Sequence, residues 1–388
     1  MTLAVVTFMG LLLALELAAL VMVLANHLLI PAPGKPPYRG PPDDPPLVSI
    51  LVPARNEEQN IRDCVESLMA QDYPRFEVIV ADDGSTDRTP HVLSELQARY
   101  PDLKVLRPPP VPPDWINGKS HALWHAEQAS AGQWLLTVDA DTRPFPHAVS
   151  EAIGDAIETR ADLLIAFPMT DCIGFWEKTV IPAMLKPTLT TPWWRVNNPK
   201  SKLVAATGAF MLFRRSAYEA IGGFEAIKQE RVEDIALARR SKGQGLRLRF
   251  VSGTYLSHVR QYSSLRQIVR AVTHQYFRGG VGGSVLLALV NILGLLLLTV
   301  VPWVALAGFG VLWLSGHTAP VYQLGVLLAA CQCAVITAGH HVICRLYRIR
   351  GGPAVLDPLG GLVGAVAMLR STVVGLLGRR DEWRGRQS

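Results

Sequence analysis

Trp134-Leu135-Leu136-Thr137-Val138-Asp139-Ala140-Asp141 is an apolar run of strand character that ends in two carboxylates one residue apart. Residues i and i+2 of an extended segment point to the same side, so Asp139 and Asp141 are placed to share one divalent cation at the carboxyl end of a buried strand. Open α/β sheets collect their ligands at that edge. An isolated D-x-D also reads as an acidic turn, so the rest of the chain has to decide.

Working outward, short β-branched runs alternate with amphipathic stretches from Leu47 to about Gly253, the pattern of a mostly parallel sheet covered by helices. Strands are expected at Val48 to Pro53, Phe76 to Ala81, Leu103 to Leu106, Leu163 to Phe167 and Ala209 to Phe213. Helices are expected from Asn60 to Met69, up to Tyr100, and from Lys119 to about Ala129. The first strands run into Ala54-Arg55-Asn56-Glu57-Glu58 and Asp82-Asp83-Gly84-Ser85, so one edge of the sheet gathers the polar residues.

Each of those segments has a chemical use. Asp83 can accept hydrogen bonds from a base or ribose, and Gly84 lets the backbone turn. Asn117-Gly118-Lys119 offers a cation and a helix N-terminus, both suited to a diphosphate. Glu233 and Asp234 open a helix, where they favour its dipole, and Asp234 is also a candidate general base. Gly208 to Phe224 reads as strand, turn and helix with Gly222 and Gly223 allowing close approach. The stretch holding Trp176, Pro182, Pro187, Pro192, Trp193 and Trp194 has weak periodicity and suits either an apolar partner or a packed core. His258, Arg260 and Gln261 are within reach of a phosphate or lie in a solvated loop. His340 and His341, within an apolar segment and without an acidic neighbour in sequence, receive no role.

Composition places this unit among membrane segments. Of 388 residues 49% are hydrophobic, and mean hydropathy is +0.22 because the apolar residues bunch at the two ends. The net charge of +6 gathers beside those segments and in the C-terminal tail, as for anchoring against anionic lipid; no nucleic-acid motif accompanies it. Five cysteines without a C-x-x-C argue against a disulfide framework or a zinc site.

The expected organisation is a transmembrane anchor over 1–30, interrupted by Glu16; a stiff proline-rich linker over 31–46; the α/β domain over 47–261; an interfacial amphipathic helix over 262–280; membrane segments over 281–378; and a basic cytoplasmic tail over 379–388. Val281 to Ser315 is expected to form one span kinked near Pro302, and Val321 to Cys344 another. Pro353 to Leu377 either crosses or lies re-entrant or interfacial. Lys35 and Arg39 follow the first span and nothing basic precedes it, which puts the domain on the cytoplasmic side of the inner membrane.

Pro53-Ala54-Arg55-Asn56-Glu57, Asp82-Asp83-Gly84-Ser85, Gly118-Lys119, Asp139-Ala140-Asp141, Gly222-Gly223-Phe224 and Glu233-Asp234 resemble, in order and spacing, the family 2 glycosyltransferases of the GT-A fold. The resemblance covers Leu47 to Gln261. It implies an inverting transferase with a nucleotide-sugar donor and Mg2+ or Mn2+, in which Asp141 with Asp139 holds the metal and Asp234 is the base. Pro53, Ala54, Arg55, Glu57, Asp83, Lys119 and Asp139 would line the donor, with Asp83 on the uridine. Gly208, Gly222, Gly223, Phe224 and Glu233 would face the acceptor.

Pro113-x-Trp115-x-Asn117-Gly118-Lys119, Gly208 to Leu237 and Trp383-Arg384-Gly385-Arg386 look more narrowly like the membrane-bound branch associated with carotenoid and hopanoid glycosylation. Processive relatives carry Q-x-x-R-W where this chain reads Gln261-Tyr262-Ser263-Ser264-Leu265, which argues for one sugar per acceptor. The expected reaction moves glucose from UDP-glucose to a membrane lipid. Polyprenyl phosphate as acceptor, and a binding module without activity, stay open.

Overall fold

The computed structural model of the chain describes residues 2–317, 319–349, 351–377, 382–383 and 386–387. Helix α1 (Thr2–Leu29) leads through the proline-rich segment into β1 (Val48–Ala54), α2 (Ile61–Met69), β2 (Phe76–Asp82), α3 (Thr89–Arg99), β3 (Lys104–Leu106) and α4 (Gly118–Gln128). There follow β4 (Trp134–Val138), β5 (Thr142–Pro144), α5 (Ala148–Glu158), β6 (Leu163–Thr170), α6 (Phe175–Leu189), β7 (Phe210–Arg214), α7 (Arg215–Ala220), α8 (Glu233–Gly243) and β8 (Leu248–Val259). Helices α9 (Leu265–Gln275), α10 (Val285–Thr299), α11 (Val301–Leu314), α12 (Pro320–Leu346) and α13 (Asp357–Leu376) complete the chain, with two-residue strands at Glu382–Trp383 and Arg386–Gln387. The rest of the basic tail lies outside the described residues.

The sheet runs β3-β2-β1-β4-β7-β6-β8-β5. Four of its neighbouring pairs are parallel, and β4–β7, β6–β7 and β5–β8 are antiparallel. Both faces are covered, which is why the central strands read as continuous apolar runs rather than alternating ones. Ile50 and Val52 of β1 pack with Ile61 and Leu68 on one face, while Leu51 packs with Leu123 and Ala126 of α4 on the other. Because β7 runs against β4, with Phe210 opposite Val138, the residues just before β7 arrive at the edge where β4 ends. Gly208 is thereby delivered beside Asp139.

The segment over 31–46 is not a free spacer. Ser252 N–H donates to the Pro31 carbonyl at 2.7 Å, and Gly34 N–H and Arg39 N–H donate to the Glu151 carboxylate at 3.2 and 2.5 Å. Tyr38 stacks on His147 with ring centroids 3.9 Å apart. Gly34 takes φ +77°, and a Cβ there would stand 2.9 Å from the Tyr255 carbonyl oxygen, so the strap lies too close for a side chain. The segment is thus fastened along the domain at Pro31, Gly34, Tyr38 and Arg39.

Among the described residues three helices are long and apolar enough to cross a membrane, α1, α12 and the 354–376 segment that contains α13; α10 and α11, bent by 46° at their junction before Pro302, add a fourth if they count as one span. The tryptophan- and proline-rich stretch supplies a helix that periodicity missed, α6, which packs against α13, α1 and α10. Asn26 of α1 closes its end: Nδ2 donates to the Leu189 and Thr191 carbonyls at 2.8 and 2.9 Å, and Trp193 N–H donates to Oδ1 at 2.9 Å. His340 does have an acidic partner, since its Nδ1 is 2.9 Å from Asp357, far ahead in sequence, and Asp357 also pairs with Lys186 of α6.

Helix α13 is continuous from Asp357 to Leu376. Its Ser371 hydroxyl donates to the Thr273 carbonyl at the end of α9 and accepts from Phe277 N–H. The expected amphipathic helix is present as α9, capped by Ser264, with Ile268 and Ala271 buried and Arg266 and Arg270 exposed. At the other end of the bundle Arg348, just after α12, lies 4.5 Å over the Tyr255 ring of β8.

Candidate active site

The ends of β1 and β2 form one unit. Asp83 N–H donates to the Ala54 carbonyl at 2.8 Å, and Arg55 Nη1 donates to the Asp83 carbonyl at 2.5 Å while standing 4.0 Å from its carboxylate. Asn56, at φ +53°, donates from its backbone to Ser85 Oγ and accepts from Thr86 N–H through Oδ1. Glu57 is buried: its N–H donates to Thr89 Oγ1, and its carboxylate accepts from Asn60 at 2.9 Å. Pro53 and Ala54 are the last residues of β1. Arg55 and Asp83 therefore share a rigid ledge, and Glu57 fixes the starts of the two helices behind it.

A second unit forms between the loop before α4 and the segment before α8. Lys228 pairs with Asp114 at 2.8 Å, Ile116 N–H donates to the Lys228 carbonyl, and Asn117 Nδ2 donates to Glu233 Oε2 at 2.9 Å. Asn117 also caps α4 by accepting from Lys119 N–H at 2.9 Å, a cap of a kind worth about 1 kcal/mol. This stitching aims Lys119 at both neighbours: its Nζ is 2.6 Å from Asp139 Oδ1 and 2.7 Å from Glu233 Oε1. Gly208 lies against this bridge, where a Cβ would meet Lys119 Nζ and stand 3.1 Å from Glu233 Oε1.

The charges are unevenly shared. Burial pushes the Lys119 ammonium down, but Asp139 and Glu233 outweigh it and hold its pKa well above the ordinary value. Burial likewise pushes Glu233 up, and Lys119 and Asn117 reverse this and keep it below the usual carboxylate range. Asp141 and Asp234 are less compensated. Burial, then repulsion from Asp139, pushes Asp141 up to about 7, against Lys119 and Arg143. Burial, then Glu233, pushes Asp234 up to about 6, with its Oδ1 accepting from Ile235 N–H at 2.7 Å. Four carboxylates gather around one ammonium, a surplus of negative charge that a divalent cation would relieve.

Asp139 and Asp141 fit such a cation chemically. Among the described residues no group of three or more His, Cys, Asp or Glu side chains stands ready to hold a metal. Mg2+, however, is commonly held by one or two carboxylates plus substrate phosphates, and Mn2+ shares its preference for oxygen ligands.

Three neighbours of Asp141 escaped the sequence reading. Arg143 sits two residues on, paired with Asp63 at 2.8 Å, and the i, i+2 spacing that joined Asp139 to Asp141 points to it as well. Tyr262 lies close enough for the Asp141 charge to add to burial in pushing its phenol up to about 12. Cys64 Sγ approaches the Asp139 carbonyl at 3.6 Å. No local pattern marks the last two, which long-range packing brings in.

Other candidates stand elsewhere. Gly222 and Gly223, both at positive φ, form a turn packed on Tyr218, whose hydroxyl accepts from Phe224 N–H at 2.9 Å, and Phe224 is in the core. His258 lies within β8 and binds Asp171 at 2.6 Å, and Arg260 binds Glu177 of α6 at 3.3 Å, so both already have carboxylate partners rather than an open path to phosphate.

Residues 49–222 match the family model described as Glycosyl transferase family 2. The match ends before Glu233 and Asp234, which the geometry above brings to Lys119. The chain is 28% identical over 222 residues to the probable glycosyltransferase YdaM of Bacillus subtilis, covering 55% of this chain and 51% of that one. It is 42% identical over 100 residues to the beta-monoglucosyldiacylglycerol synthase of Nostoc, covering 25% and 21%. The chain thus spans about half the length of the first relative and about a fifth of the second. Among solved structures, the mannosyltransferase PcManGT of Pyrobaculum calidifontis, in complex with GDP-Man and Mn2+, aligns at TM-score 0.54 and 18% identity over 98% of this chain and all of that one. The domain has the GT-A fold, and the likeness extends over the flanking helices.

Proposed function

We propose that the chain is a membrane-bound, inverting glycosyltransferase that moves a hexose, glucose in the first instance, from a UDP-sugar to the hydroxyl of a membrane lipid such as a carotenoid or hopanoid. The observation that carries this reading is the arrangement of Asp139, Lys119 and Glu233 in one bridge, with Asp141 on one side and Asp234 on the other. That arrangement supports a division of labour between a carboxylate pair that holds the donor and a carboxylate that acts as base.

In this reading the ledge of Arg55 and Asp83 receives the nucleotide, with the Asp83 carboxylate accepting from the base. Asp141, with Asp139, would hold Mg2+ or Mn2+, which supplies charge to the diphosphate as it leaves. Lys119 is the cation beside it. Asp234 takes the proton from the acceptor hydroxyl as the oxygen attacks the anomeric carbon. The bond from that carbon to the diphosphate breaks on the opposite face, so configuration inverts. A carboxyl pushed up to about 6 is ionised at neutral pH yet basic enough to share that proton. The flanking helices would hold the cleft at the cytoplasmic surface of the inner membrane, where the lipid is presented.

A diacylglycerol acceptor is the second reading, favoured by the 42% identity over 100 residues to a beta-monoglucosyldiacylglycerol synthase. Membranes of a host expressing the chain, incubated with labelled UDP-glucose, are expected to yield a labelled lipid whose mass names the acceptor. A product labile to mild acid would identify polyprenyl phosphate and overturn both readings. No transfer from any nucleotide sugar would leave a binding module.

A further inference from the structure

Glu16 stands near the middle of α1, thirteen residues before Leu29 and so about 20 Å along the helix at 1.5 Å per residue. A hydrocarbon core is about 30 Å thick, which puts this carboxyl deep within the candidate span. It is 3% exposed, and neither of its oxygens has a hydrogen-bond partner among the described residues. A buried carboxyl left without partners is expensive anywhere and most of all in lipid. The cost points to a ligand that supplies the missing donor.

Glu16 lines a cavity between α1, α6, α10 and α12, and Lys186 of α6 lines it too. The two do not touch: Lys186 is paired with Asp357 and reaches the Ile336 carbonyl at 3.5 Å. A group bridging a carboxyl and an ammonium that stand apart must donate to one and accept from the other. A hydroxyl does both. A phosphate or a second carboxylate would carry its own charge into an otherwise apolar lining. The remaining lining, including Leu20, Val23, Leu298 and Val335, is apolar, so a sugar head group would find too few partners while a hydrocarbon chain would find many.

We infer that this cavity is a binding site for a lipid alcohol, whose hydroxyl donates to Glu16 and accepts from Lys186 while its chain lies against α1, α10 and α12. The site is separate from the Lys119 cleft, and the inference stands whether or not the sugar acceptor proposed above is correct.

The test uses the full chain in phosphatidylcholine nanodiscs with two photoreactive probes, a C16 alcohol carrying a diazirine and the same chain ending in a methyl group. The alcohol is expected to label the 320–346 peptide at least tenfold more than the hydrocarbon. That preference should vanish in Glu16→Leu, persist in Glu16→Gln, which still accepts a hydrogen bond, and vanish in Gly339→Leu, which fills the cavity from α12 while leaving Glu16 in place. Equal labelling by the two probes, or a preference unchanged in both Glu16→Leu and Gly339→Leu, would mean ordinary boundary lipid or a bound water and would overturn the inference.

Discussion

Lys119 Nζ and Asp139 Oδ1 are 2.6 Å apart, so the first carboxylate of the D-x-D pair is held by a side chain from α4. A divalent cation and this ammonium compete for the same oxygen. Lys119→Met is expected to raise Mn2+ affinity measured without nucleotide by on the order of tenfold, about 1.4 kcal/mol. It should lower kcat/KM for transfer at the same time. Electron paramagnetic resonance titration of free Mn2+ reads the first effect, and an unchanged affinity would show that the lysine does not guard the pair.

Asp234 titrates in the wrong place for a surface carboxylate. With its pKa pushed up to about 6, kcat/KM should rise as pH climbs through about 6 and then level off, because the base form is the ionised one. Asp234→Asn should cost about 10²- to 10⁴-fold in turnover and leave the dissociation constant for UDP within a factor of two. A flat profile between pH 5 and 7 would move the base elsewhere.

Asp141 gives a stability test of opposite appearance. Its folded pKa of about 7 lies above the ordinary carboxylate value, so its contribution is fully present below about pH 3.9 and is lost as pH rises through 7. In chelator, Asp141→Asn is expected to raise Tm at pH 8 by several degrees relative to the unsubstituted chain, and by little at pH 4. Thermal unfolding in detergent at the two pH values checks the difference. Equal shifts would show that its charge is already compensated.

Gly208→Val drives a branched side chain into the Lys119–Glu233 contact. Transfer should fall at least tenfold, and Glu233 should lose the partner that keeps its pKa low. Gly154→Val, where a Cβ meets nothing within 4 Å, serves as the control for a glycine replaced in the same domain.

The strand ends were legible because β1, β2 and β4 are buried on both faces and stop at polar residues, which makes their boundaries visible in composition. The run that opens at Trp134 is a strand up to Val138, just ahead of the two carboxylates that close it in sequence. Helix α6 was not, because Pro182 and Pro187 interrupt its pattern and its apolar face is shared among several membrane helices rather than turned to one core. The Asp357 partner of His340 was missed because it lies seventeen residues on, beyond the end of α12. In the site, Asp139, Lys119 and Glu233 were each marked in sequence, but their joining was not. It depends on the Asp114–Lys228 and Asn117–Glu233 contacts, which span more than a hundred residues.

The strap from Pro31 to Arg39 has a geometric consequence. Its grip on Glu151, His147 and Ser252 ties the globular part to the foot of α1 at a fixed offset, and Arg348 on Tyr255 does the same from α12. On a bilayer the cleft would travel laterally at one altitude, like a gauge set to a single height. Molecules would then be sorted by how far their reactive oxygen protrudes from the surface before any pocket contact is made. Lengthening the strap should blur that sorting without touching the chemistry.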